Sequence, residues 1–151
     1  MEALNIPKTD LKIITKAGKQ QVFDVLRRKY VALTSEEWVR QQFVHYLIQH
    51  KGYPAECIGN EVSIRLNGMR KRCDTVVFGH EAEPLMIVEY KAPGVEITQQ
   101  AFEQISRYNI RLRVQWLIVS NGLQHYCCHI DYASGTYRFV EDIPSYLTII
   151  G

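Results

Sequence analysis

The chain has 151 residues, 46% of them hydrophobic and 23% charged, with a net charge of +2 at neutral pH. These values fit one soluble globular domain, residues 1–151, with a single core. No apolar run is long enough to span a membrane, so no membrane role is expected. The start, Met-Glu-Ala-Leu-Asn, lacks the basic and apolar regions of a signal peptide, and a cytoplasmic location is the expectation.

Segments near 11–15 and 20–26 read as short strands, with Lys16-Ala17-Gly18-Lys19 as the turn between them. Thr34 followed by Glu37 matches a capping box, which opens a helix over 35–50 that Gly52 stops. Val39, Phe43, Tyr46, Leu47 and His50 recur on one face of it. On a wheel of about 100° per residue, Glu36 falls over Val39 and Phe43, whereas Glu37 falls to one side.

Residues 61–66 alternate as a strand, Asn67-Gly68 signals a hairpin, and 71–78 is the return strand. After a polar connection, 85–90 is an apolar strand of the kind buried on both faces. Ala92-Pro93-Gly94 breaks the chain before a helix over 98–112, with Ala101, Ile105, Tyr108 and Leu112 as its apolar stripe. Strands follow at 114–120, 124–131 and 136–140. This order predicts an α/β domain with a mixed central sheet flanked by helices.

Basic residues cluster at Arg27-Arg28-Lys29, at Arg70-Lys71-Arg72, and at Arg107, Arg111 and Arg113. A solvated face is the ordinary meaning of such runs, and a phosphate-binding path is the functional one. Cys57, Cys73, Cys127 and Cys128 have no metal-finger spacing and read as small buried residues. The five histidines share no motif, Trp38 and Trp116 read as packing residues, and Glu61 reads as an ion-pair partner.

The segment 69–93 carries the chemistry. The apolar run 85–88 ends in Glu89-Tyr90-Lys91, and Asp74 precedes a second apolar run at 76–78. Strand side chains alternate faces, so Glu89 and Lys91 share a face if the strand persists to Lys91. Arg72, Asp74, Val76 and Phe78 share a face of the neighbouring strand. If the two faces coincide, Asp74 and Glu89 converge with Lys91 beside them. Two carboxylates at one point repel and ask for a cation. Hard oxygen ligands favour Mg²⁺ or Mn²⁺, which also bind phosphate. A lysine nearby can stabilise charge developing in a transition state. The structural alternative is a strand-end ion pair between Lys91 and Glu89, with Asp74 capping a turn.

Further residues appear in a fixed order: Thr34 to Leu47, Gly52-Tyr53-Pro54, Glu61, Arg72-Cys73-Asp74, Val88 to Pro93, Gln104 to Asn109, and Ser120-Asn121-Gly122. This ordered set resembles the N-terminal nuclease domain of type I restriction enzyme R subunits, a branch of the PD-(D/E)xK nuclease superfamily, over roughly residues 30–130. The resemblance implies a restriction-endonuclease-like fold, a hydrolase that cuts DNA with Mg²⁺ or Mn²⁺, and restriction-modification or motor subunits encoded separately.

Residue by residue, the resemblance implies that Asp74 and Glu89 bind metal and that Lys91 is the catalytic lysine. The family's helix acid, expected to be a third metal ligand, maps to Glu36 or Glu37, and the wheel favours Glu36. Gln104 and Tyr108 match the family's Gln-x-x-x-Tyr motif and suit DNA contact. Arg70, Lys71, Arg72, Arg107 and Arg111 are expected to flank the DNA path. Cys73 stands where the superfamily's name has proline, and the chain carries no Gly-x-x-x-x-Gly-Lys-Ser/Thr phosphate loop for a motor. A non-catalytic DNA- or partner-binding module on the same fold, and a nuclease acting on RNA or repair intermediates, remain alternatives.

Overall fold

Ala17 and Gly18 take left-handed φ values of 52° and 78°, the geometry of a two-residue hairpin turn. They join β1 (Ile13–Lys16) to β2 (Lys19–Asp24). A third strand, β3 (Lys29–Ala32), completes a small antiparallel sheet. This computed structural model describes all residues, 1–151. β3 was not expected, because Arg27-Arg28-Lys29 read as a basic run. Arg27 instead turns inward onto Asp24 and Glu37.

The first helix, α1 (Ser35–His50), starts as the sequence predicts: the Thr34 hydroxyl accepts the Glu37 amide at 3.0 Å. Val39, Phe43 and Leu47 are fully buried against the main sheet. That sheet holds six strands in chain order: β4 (Ile58–Leu66), β5 (Met69–Phe78), β6 (Pro84–Tyr90), β7 (Trp116–Ser120), β8 (His125–Asp131) and β9 (Thr136–Val140). All neighbours pair antiparallel except β6 and β7, which are parallel. A parallel pair needs a crossover, and α2 (Gln99–Leu112) provides it. A short helix, α3 (Tyr146–Ile150), was not expected; it buries Tyr146 and Ile149 in the α1-side core.

The sheet is covered on both faces, which explains the unbroken apolar reading of β6. Met86, Val88 and Tyr90 pack with α1, while Ile87 packs with Phe102 and Leu112 on the α2 side. The expected α2 stripe is displaced. Phe102, Asn109 and Leu112 are the buried positions, and Tyr108 is 42% exposed.

Strand alternation slips at Asp74. Pairing of β4 with β5 runs Asn60–Thr75 and then Val62–Cys73, and Glu61 between them has a left-handed φ of 55°. Cys73 and Val76 therefore both enter the α2-side core although three positions separate them. The expected common face of Arg72, Asp74, Val76 and Phe78 is broken at this point. Arg72 turns out onto Glu61 at 2.8 Å, and Lys71 turns in.

Candidate active site

The β5–β6 ladder ends at the pair Thr75–Val88. Beyond it the two strands part. The Asp74 carboxylate reaches across the gap and accepts the Tyr90 amide at 2.9 Å, filling a place the ladder has vacated. β6 ends at Tyr90, and Lys91 continues its line by donating its amide to the Ser120 carbonyl at 2.9 Å. Glu89 lies on the same side as Asp74, with its side chain only 11% exposed. Both carboxyl groups line one groove, and the Asp74 charge acts on Glu89. The site thus stands at the C-terminal end of β6, where the βαβ crossover departs.

A groove of about 350 Å³ opens here, lined by Glu36, Lys71, Asp74, Glu89, Lys91, Gln104 and Tyr108, among others. Glu36 comes from the first turn of α1 and lines this groove. Glu37 does not line it and is bonded by Arg27 at 2.9 Å and Gln41 at 3.0 Å, with Arg40 at 3.3 Å. Glu36, which the wheel places over Val39 and Phe43, lines the groove but is exposed, whereas Glu37, which the wheel places to one side, is buried and spends its carboxylate on arginines rather than on the cap.

Protons are held tightly in the groove. Burial, and then the Asp74 charge, push the Glu89 carboxyl up to about 8. Burial and Asp74 also raise Glu36. Lys71 donates to Glu89 Oε1 at 3.0 Å; burial works against its charge, but Glu89 outweighs burial and the ammonium is raised too. Burial is the largest cause for the two carboxyls, and the negative charge of the neighbouring acids acts in the same direction on all three groups. No three His, Cys, Asp or Glu side chains converge into a ready-made metal cluster. The donor set still suits Mg²⁺, which uses one or two carboxylates and completes its shell with water and phosphate.

A buried polar network supports the site from behind. Tyr90 donates its hydroxyl to Thr75 at 2.9 Å, Thr75 donates to Asn60 at 2.7 Å, and Asn60 donates to Asp24 at 3.0 Å. Beside it, Arg40 donates to Glu61 at 2.7 Å and reaches the Asp74 carbonyl at 3.4 Å. Glu61 is an ion-pair residue between Arg40 and Arg72, as its sequence position suggested. Asn121 donates to the Val95 carbonyl at 2.9 Å and so pins the loop that follows Lys91. That role was not visible in the sequence, where Asn121-Gly122 read first as a turn.

Of the expected basic residues, Lys71 lines the main groove, and Arg107 and Arg111 line an adjoining cleft with Gln104 and Tyr108. Arg70 and Arg72 line neither, being exposed on the outer part of β5. Trp38 and Trp116 are packing residues, and all four cysteines are free thiols.

The sequence matches the family model described as type I restriction enzyme R protein N terminus over residues 35–144. The chain belongs to this family. The family match takes in Glu36, Asp74, Glu89, Lys91, Gln104 and Tyr108. A solved structure is also similar: a fragment of a protein assigned as the HsdR subunit of a type I restriction enzyme from Vibrio vulnificus YJ016. It aligns at a TM-score of 0.54 with 18% identity over 78% of this chain. This chain spans 24% of the length of that fragment. No curated protein matches in sequence. The mixed six-stranded sheet with helices on both faces is consistent with the restriction-endonuclease-like α/β fold. No helix is long and apolar enough to cross a membrane.

Proposed function

We propose that this domain is a Mg²⁺- or Mn²⁺-dependent nuclease that hydrolyses DNA phosphodiester bonds. The observation that carries the reading is the juxtaposition of Asp74 and the buried Glu89 in a groove that also receives Lys91 and Glu36. Burying carboxylates beside one another is costly unless a cation is to be held there. Asp74 and Glu89 would hold the ion, which when bound would neutralise the scissile phosphate and lower the pKa of the attacking water. Lys91 stabilises the negative charge that builds on the phosphoryl oxygens. Glu36 faces the pair from α1 and is suited to orient a water and accept its proton. Gln104 and Tyr108 lie four residues apart on α2 and share its groove side, so they position the strand. Arg107 and Arg111 extend that path with phosphate contacts.

A second reading is a non-catalytic DNA-binding module, favoured by one observation: Lys71 already neutralises Glu89 without metal. Thermal melting separates the two. A ligand that binds the folded state raises the melting temperature. Millimolar Mg²⁺ or Mn²⁺ with a DNA oligonucleotide is expected to raise it further than DNA alone, and Asp74→Asn is expected to abolish the metal-dependent part. An unchanged curve with wild-type protein would count against the nuclease.

A further inference from the structure

Lys71 occupies a place that a metal-binding site of this kind does not require to be filled by the protein. Its Nζ lies 3.0 Å from Glu89 Oε1, inside the groove that holds Asp74. It arrives there through the slip in strand alternation at Asp74, which turns Lys71 inward and Arg72 outward. The ammonium also stands 5.5 Å from the centre of the Tyr108 ring, within cation–π range. It therefore has two partners, and the second does not depend on Glu89.

We propose that Lys71 is an internal counter-ion that competes with the divalent metal for Glu89 and sets the metal concentration at which the site loads. The proposal rests on the nuclease reading of Asp74 and Glu89. With no metal, Lys71 compensates Glu89 and keeps the two carboxylates from repelling each other apart. Metal entry requires Lys71 to release Glu89 Oε1 while it keeps Tyr108. A phosphate arriving with DNA adds negative charge to the groove and a landing place for the freed ammonium. Loading thus becomes favourable chiefly when substrate is present. Lys91 does not have this role: it is paired with no carboxylate in the ion pairs of the chain.

The test is calorimetric titration of Mn²⁺ alone, at pH 8, into wild-type protein, Lys71→Met, Lys71→Gln and Asp74→Asn. Removing a competing charge 3.0 Å from a ligand atom is expected to tighten Mn²⁺ binding about tenfold in both lysine variants. DNA is expected to tighten Mn²⁺ binding more in wild type than in either variant. A residue that only braces the strand would give equal or weaker binding when replaced. If wild type binds Mn²⁺ and both folded variants bind it no more tightly, the counter-ion proposal is overturned and the nuclease reading stands. If no protein binds Mn²⁺, with or without DNA, both fall together.

Discussion

Glu36 and Glu37 are neighbours with the same side chain, and the structure gives them opposite fates. The Glu37 carboxylate is 9% exposed and compensates Arg27 at 2.9 Å and Arg40 at 3.3 Å, with Arg40 itself only 6% exposed. Glu37→Gln keeps the shape and one acceptor but removes the charge. Breaking a buried ion pair outright costs about 3–5 kcal/mol. Here Arg40 retains Glu61 at 2.7 Å and Arg27 retains Asp24, so the loss lies at the lower end. About 3 kcal/mol corresponds to a fall of roughly 6–12 °C in melting temperature for a domain of this size. Glu36→Gln alters an exposed groove residue and is expected to change stability by less than about 0.5 kcal/mol, while lowering metal-supported cleavage. The assays are thermal melting and plasmid nicking on both variants. A destabilised Glu36→Gln beside a fully stable Glu37→Gln would refute the assignment of these two acids.

The pH dependence follows from Glu89, raised from 4.5 to about 8. A carboxyl raised on folding binds its proton more tightly in the folded state. Its contribution is thus fully favourable below pH 4.5 and is lost as pH rises to about 8. Melting of the metal-free protein between pH 5 and 8.5 should show this loss, with Glu89→Gln flattening the trend. Mn²⁺ must also expel that proton, so its affinity should rise with pH up to about 8 and then level off in calorimetry. Reversing Arg107 and Arg111 to glutamate should weaken DNA binding for all sequences alike. The slope of log affinity against log salt should fall by about two, since each neutralised phosphate contributes roughly one. Unchanged gel shifts would place the DNA elsewhere.

Local chemistry made much of this fold legible. Thr34 had one good partner in the Glu37 amide, Asn67-Gly68 had the conformational freedom a tight hairpin needs, and residues 85–88 could only suit a strand buried twice. Period-two alternation offered Glu89 and Lys91 on one face, with Asp74 beside them if the neighbouring faces coincided, and all three line the same groove. The distortion at Glu61 was not legible, because a left-handed glutamate carries no local signal and is imposed by the β4–β5 pairing. Its consequence was a wrong face for Arg72 and no hint that Lys71 would enter the groove. The α2 stripe was misread for a related reason: Ala101, Ile105 and Tyr108 wall a polar groove, and periodicity cannot tell a groove wall from a core. Asp24, Asn60, Thr75 and Tyr90 form their network across four strands, a long-range arrangement with no spacing to detect.

If Lys91 acts on a phosphodiester transition state in a metal-holding groove, its removal must show in rate and not in affinity. The most direct test is plasmid nicking with Mg²⁺ or Mn²⁺, run beside gel-shift binding, for wild type and Lys91→Ala. Wild type is expected to nick DNA and the variant to lose at least about a hundredfold in rate, as when a transition-state donor is removed, while DNA binding stays nearly intact. Equal nicking by both proteins would reduce Lys91 to a strand-end cation, and no nicking by wild type under either metal would rule out a nuclease.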